Sequence, residues 1–183
     1  VAALVAGNGV VAKPSEVTPA VGTMMTDLLN RIPELRPLTR FVYGDGETGA
    51  ALVAAPPDLV FVTGSVRTGR LISRAAAETL TPVICELGGK DPLLVLEDAD
   101  IPAAARWTAW GAFSNAGQTC MSPERVYVVA PVYDAFVAAI TEQARNLRVG
   151  YTLDEVSDYD YSCMTYFAQL DIVRAHLDDA RSK

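Results

Sequence analysis

Short apolar runs alternate with longer stretches whose apolar positions recur every three or four residues, and glycine-bearing turns separate them. The first residues, Val1 to Ala6, are apolar and stop at Gly7-Asn8, as the last turn of a helix does when glycine takes the left-handed conformation. Val10 to Lys13 reads as a strand. Thr18 and Pro19 then predict a helix start, a capping hydroxyl followed by proline at the first helical position. Val21, Met24, Met25, Leu28, Leu29 and Ile32 follow at helical spacing, which predicts a buried stripe. A strand over Thr39 to Tyr43 leads through Gly44-Asp45-Gly46-Glu47-Thr48-Gly49 into a short helix ending near Ala54. A strand over Leu59 to Val62 enters Thr63-Gly64-Ser65 and a helix from Val66 to about Glu78. A fourth strand, Pro82 to Glu86, ends at Leu87-Gly88-Gly89. Four strands alternating with three helices predict one parallel sheet with crossover helices.

The pattern restarts after Gly89. Leu93 to Leu96 is a strand, and Asp98 to Asp100 lead a helix that contains Trp107 and Trp110. The polar loop Asn115 to Pro123 precedes a strand over Arg125 to Val129 and a helix from Pro131 to about Leu147. Tyr151 to Cys163, rich in acidic residues, reads as an exposed connection. Gln169 to Lys183 reads as a helix with Leu170, Val173 and Leu177 on one face. The expected organisation is α/β, with partial domains over 1–88 and 89–183. Both ends look cut, the first inside a helix and the last without a cap, so the sequence is expected to be part of a longer chain.

Half of the 183 residues are apolar and 20% are charged, an ordinary globular composition. The net charge of −7 without a basic cluster argues against nucleic acid and against an anionic membrane surface as partners. No run approaches the roughly 18 apolar residues of a spanning helix. Three cysteines, Cys85, Cys120 and Cys163, lack metal-ligand spacing and suit a reduced, cytoplasmic protein without a metal centre.

Several positions carry candidate chemistry. Gly44-x-Gly46-x-x-Gly49, between strand and helix, fits a dinucleotide fingerprint. The acidic residue expected about 20 positions on is missing, so a plain glycine-rich turn fits as well. Ser65 opens a helix whose free N–H groups favour an anion such as a pyrophosphate; it also suits a simple N-cap. Lys13 and Glu16, just after a strand, suit a ribose or a solvated charge pair. Glu16 would repel a 2′-phosphate, which favours NAD over NADP. Cys120 sits in a small, polar loop, where reactive thiols are found, whereas Cys85 on an apolar strand looks structural. Glu86 ends an apolar strand, where partial desolvation would suit a general base. His176 reads as surface, so a base paired with Cys120 would have to be a carboxylate.

Four segments together resemble the aldehyde dehydrogenase superfamily. They are Gly7-Asn8-x-Val10-Val11-x-Lys13-Pro14-Ser15-Glu16-x-Thr18-Pro19, Val62-Thr63-Gly64-Ser65, Glu86-Leu87-Gly88-Gly89-Lys90 and Gly117-Gln118-x-Cys120, and their order and separations agree too. The resemblance implies parts of two α/β domains: a Rossmann-like NAD-binding domain and a catalytic domain, incomplete at both ends. It implies Cys120 as nucleophile and Glu86 as base, passing through a thiohemiacetal and a thioester to a carboxylic acid. It implies that Lys13, Ser15, Glu16, Gly46, Gly49, Thr63, Gly64, Ser65, Leu87 and Gly88 bind the cofactor, NAD with NADP as the alternative. A homo-oligomeric parent, dimer or tetramer, acting on a small aldehyde is implied as well.

The family's oxyanion asparagine would precede Val1, and its downstream ribose-binding carboxylate would follow Lys183. Gly150-Tyr151 stands where Gly-Asp-Pro is usual, and Ser162-Cys163 where Gly-Pro is common. The competing expectations are a non-catalytic remnant that at most binds nucleotide or a partner subunit, and acyl transfer to coenzyme A. Glu86 disfavours the second of these.

Overall fold

The computed structural model describes residues 1–151 and 158–183. The chain divides into two compact units, Val1–Leu87 and Gly88–Lys183.

In the first unit, helix α1 (Ala2–Val5) ends as its sequence predicts. Gly7 adopts φ +84°, its N–H bonds Leu4 O, and the Asn8 N–H bonds Ala3 O, the paired closure of a glycine-terminated helix. Strand β1 (Val10–Ala12) pairs in parallel with β2 (Thr39–Phe41), and α2 (Pro19–Asn30) connects them. Helix α3 (Gly46–Ala54) leads to β3 (Val60–Gly64), which pairs in parallel with β4 (Val83–Leu87) across α4 (Val66–Ala77). The expected single sheet is therefore two separate parallel pairs, because the crossover through α3 does not lay β3 beside β2.

Two glycines bring helices onto strand ends. A Cβ at Gly22 of α2 would lie 2.7 Å from Pro14 Cβ and Cγ, and one at Gly69 of α4 would lie 2.9 Å from both Leu87 methyls. Both glycines are buried, so α2 seats just beyond β1 and α4 at the end of β4. The burial of α2 differs from its apolar stripe. Gly22, Thr26 and Leu29 face inward, whereas Val21, Met24, Met25 and Leu28 are exposed. The Thr18 side chain does not cap this helix. Its ψ of 56° departs from the extended ψ of 155° at Ser65, whose oxygen does cap α4.

In the second unit, β5 (Asp91–Val95) pairs in parallel with β6 (Pro123–Val128) across α5 (Ile101–Phe113). Asp100 caps α5, its Oδ1 accepting the Ala103 N–H at 3.0 Å. Helix α6 (Tyr133–Arg145) packs on α5, and Val95, Ala105 and Phe136 form the buried centre, surrounded by Leu93, Ile101, Val128 and Ile140. Alanines on α5 let the two helices approach; Ala105 and Ala109 are buried. Trp107 and Trp110 instead stand exposed in an edge-to-face pair, with the Arg106 guanidinium over Trp107. Asp160 ties residues 148–150 to 160–161 by a two-pronged bond from the Arg148 guanidinium and a third from the Arg148 N–H. Helix α7 (Ala168–Ser182) carries His176 exposed, as expected. The expected acidic connection lies partly outside the described residues, at 152–157.

Candidate active site

At the end of β1, Lys13 Nζ donates to Pro14 O (3.0 Å), Glu16 Oε2 (2.9 Å) and Gly44 O (2.9 Å). An ammonium has three N–H donors, so all are used. A hydrogen bond from its own backbone N–H, and then the Lys13 ammonium, hold the Glu16 carboxyl below the ordinary carboxylate range. Ser15 Oγ accepts the Val17 N–H at 3.2 Å and shapes the turn into α2.

The glycine-rich turn after β2 has a local reason for one of its glycines. Gly44 has φ +153°, and a Cβ there would overlap the Thr48 hydroxyl; a Cβ at Gly49 would meet Lys13 Cε at 3.8 Å. Gly46 has open space around it. Asp45 caps α3 by accepting the Glu47 N–H at 2.9 Å. Lys13, Glu16, Gly44 and Gly49 are thus brought together around one ammonium.

A second group forms at the C-terminal ends of β3 and β4. In this parallel pair Thr63 stands beside Glu86 and Gly64 beside Leu87. Ser65 follows as the cap of α4, accepting the Thr68 N–H at 3.1 Å and sharing a 3.0 Å bond with its hydroxyl. Glu86 is exposed, not partly desolvated as the apolar strand suggested; Ile84 and Cys85 before it on β4 are exposed too. Cys85 is likewise exposed, with Sγ 3.7 Å from Ser73 Oγ, so the expected structural burial of this thiol does not occur. Leu87 packs on Gly69, and a Cβ at Gly88 would find open space.

Cys120 lies in the second unit, on the loop between α5 and β6. The loop begins with three successive left-handed residues: Asn115 (φ 54°, ψ 33°), Ala116 (φ 56°, ψ 34°) and Gly117 (φ 73°). Gly117 adopts this freely and Asn115 tolerates it, but Ala116 bears the Cβ cost. The Gln118 and Asn115 side-chain amides brace the turn. Gln118 Nε2 donates to Asn115 O at 2.8 Å, and Asn115 Nδ2 donates to Gln118 O at 3.1 Å. Gln118 Oε1 accepts the Thr165 N–H at 2.8 Å.

Beyond it, the Ser122 N–H closes a turn on Thr119 O at 3.1 Å, leaving exposed Cys120 at its first corner. The Cys120 N–H has no hydrogen-bond partner among the described residues. Ser122, 5% exposed, donates its hydroxyl to Gly111 O and Ala112 O, both at 3.1 Å. The sequence reading missed Ser122, whose signal was only a small hydroxyl two places beyond the cysteine. No group of three or more His, Cys, Asp or Glu suited to a metal occurs among the described residues. Among them, too, no helix is long and apolar enough to cross a membrane.

The model of the Aldehyde dehydrogenase family matches residues 1–183. The chain belongs to the aldehyde dehydrogenase family. A 4,4'-diapolycopene aldehyde oxidase of Methylomonas sp is 44% identical over 178 residues, covering 97% of this chain and 33% of that protein. The crystal structure of lactaldehyde dehydrogenase from Escherichia coli superposes with a TM-score of 0.85 at 35% identity, over 90% of this chain and 35% of that one. Betaine aldehyde dehydrogenase from Staphylococcus aureus in complex with NAD+ gives a TM-score of 0.87 at 27% identity, over 95% and 34%. The chain therefore spans about a third of the length of these aldehyde dehydrogenases. Its helices and parallel strand pairs are a portion of their α/β fold.

Proposed function

We propose that this chain carries the nucleophile and the general base of an enzyme oxidising an aldehyde to a carboxylic acid with a nicotinamide cofactor. The observation that carries the reading is the Cys120 turn. It presents an exposed thiol beside an N–H without a partner among the described residues, on a loop tied down on both flanks. As thiolate, Cys120 Sγ bonds to the carbonyl carbon, and the charge that develops on the oxygen is met by the Cys120 N–H. One such donor is worth about 10²–10³ in rate. A nicotinamide held by the first unit would supply the hydride acceptor, so that the Cys120 thiohemiacetal is oxidised to a thioester. Glu86 then takes a proton from water as its oxygen attacks the thioester carbon. The C–S bond breaks, the acid leaves and the thiolate returns.

The first unit fits a dinucleotide. Thr63, Gly64 and Ser65 lead into α4, whose N-terminal N–H groups favour a pyrophosphate, and Leu87 and Gly88 follow at the adjoining strand end. Ser15, Lys13 and Glu16 would hold the adenosine ribose. Because Lys13 already uses its three donors, a ribose hydroxyl would donate to Glu16 or displace it. Glu16, its carboxyl held below the ordinary range by its own backbone N–H and the Lys13 ammonium, carries a negative charge that disfavours a 2′-phosphate, so NAD is preferred to NADP. Open space at Gly46, within the turn that Gly49 completes, leaves room for a ligand to approach. On this reading residues 1–88 form the cofactor-binding portion and 89–183 the portion bearing the nucleophile. The working enzyme is a cytoplasmic homo-oligomer, in keeping with three unpaired, exposed cysteines.

The test uses the full-length chain containing these residues, with aldehyde and NAD. Cys120→Ala abolishes NADH production. Glu86→Gln gives one stoichiometric burst of NADH and then turnover slowed by about 10²–10⁴, the usual worth of a general base. Full steady-state turnover in Glu86→Gln would remove Glu86 as the base, and undiminished activity in Cys120→Ala would overturn the whole reading.

A further inference from the structure

The left-handed turn before Cys120 is costly, and the bonds that hold it converge on one side chain. Three consecutive residues at positive φ do not persist without support, and Ala116 alone costs roughly 1–2 kcal/mol relative to an ordinary conformation. Gln118 supplies that support from both ends of its amide. The Nε2 end bonds Asn115 O, across the base of the turn, and the Oε1 end bonds the N–H of Thr165, 47 residues further on. Asn115 Nδ2 returns a bond to Gln118 O, so the two amides close a reciprocal clasp. Cys120 is two residues beyond this clasp and two before Ser122, the other fixed point of the loop.

We propose that Gln118 is the positioning residue for Cys120: it holds the left-handed turn and moors the loop to the segment around Thr165. The proposal rests on Cys120 being the nucleophile. Both ends of the Gln118 amide are taken up by Asn115 and Thr165, so its effect is on where the thiolate stands. A displacement of about 1 Å at a reacting atom can cost on the order of 10²-fold in rate.

The test compares variants of the full-length enzyme by kcat, KM and the rate of Cys120 alkylation by iodoacetamide as a function of pH. Gln118→Met keeps the bulk and loses both bonds; kcat is expected to fall by roughly 10²-fold with KM little changed. Ala116→Gly in that background removes the Cβ cost of the left-handed turn and is expected to recover about tenfold, the equivalent of roughly 1.4 kcal/mol. Gln118→Glu keeps the acceptor for Thr165 but lacks the donor to Asn115 O while ionised. Its activity relative to the parent should rise as pH falls and the carboxyl regains a proton.

Wild-type kcat in Gln118→Met overturns the proposal. So does a loss that Ala116→Gly leaves untouched and that Gln118→Glu shows equally at every pH, since that pattern describes general destabilisation. Undiminished activity in Cys120→Ala, which leaves the clasp intact, marks failure of the underlying nucleophile reading instead.

Discussion

Replacing Ser122 with alanine should loosen the Cys120 loop without unfolding the unit around it. The last four carbonyls of a helix have no partner within it. At the end of α5, Trp110 O is bonded by the Ser114 hydroxyl at 2.5 Å, and Gly111 O and Ala112 O share the Ser122 hydroxyl. Ser122 is 5% exposed, so water does not readily take its place. Pro123 presses on Gly111 from the same side: a Cβ at Gly111 would lie 3.1 Å from the proline ring, leaving little room to relax. A hydroxyl has one proton, so the loss is one shared bond. A net hydrogen bond is worth about 1 kcal/mol, and partly stranding two carbonyls brings the cost to about 1–2 kcal/mol. Hydrogen exchange followed by mass spectrometry reads this directly. Amides from Gly111 to residue 122 should exchange about 5- to 30-fold faster, while those of α6 around Phe136 keep their protection. Unchanged exchange in that stretch, or equal acceleration throughout residues 88–183, would refute the local anchoring role.

Three further outcomes follow from particular side chains. Among the described residues Thr108 Oγ1 is buried without a partner, so Thr108→Val keeps the shape, removes an unsatisfied group and should raise stability by about 1 kcal/mol; a lowered urea midpoint would show that the hydroxyl is satisfied after all. Leu80, 90% exposed with φ 55°, ends α4 in the left-handed conformation that glycine or asparagine favours. Leu80→Asn removes most of a strain of roughly 1–2 kcal/mol without glycine's added freedom in the unfolded chain, and the melting temperature should rise; a fall sinks the strain argument. The Arg148 guanidinium, and then the Arg148 N–H, hold the Asp160 carboxyl below its ordinary 3.8. That contribution is present above the unfolded carboxyl's pKa and is lost as pH falls through the lowered value. Arg148→Gln should return the Asp160 titration, followed by NMR, toward the ordinary value, and an unmoved titration would exclude the pair as the cause.

Much of the fold was legible because it is local. Apolar runs bounded by glycine placed all six strands to within a few residues, and Asp100 and Ser65 capped the helices they precede. What the sequence did not disclose depends on non-local partners or on one backbone angle. Thr18 and Ser65 look alike as caps, yet at Thr18 the ψ of 56° accompanies an uncapped helix start. One sheet or two pairs is a question of which strand lies beside which, and periodicity within each strand is silent on that. The exposure of Glu86 and Cys85 follows from what packs on β4, not from the apolar residues beside them in sequence.

The candidate site shows the same division at closer range. Gly117-Gln118-x-Cys120 could be read as a reactive cysteine on a polar loop, but its spacing says nothing of the left-handed turn or of Thr165. The weight of Gln118 comes from having both amide ends used, one on Asn115 three residues back and the other on Thr165, 47 residues further on. The two glycine motifs diverge in the opposite sense. At Gly44 the structure supplies a packing reason, the Thr48 hydroxyl, that a fingerprint alone would have assigned to a ligand, whereas a Cβ at Gly49 would make only ordinary contact with Lys13. A dinucleotide site can use the same glycines for both purposes, so substitution at Gly46, which has no such neighbour, separates them. Gly46→Ala leaves the turn's own contacts alone. It should therefore raise the KM for NAD with little change in melting temperature, if the space beside Gly46 is where the cofactor approaches, and an unaltered KM would assign the motif to the turn.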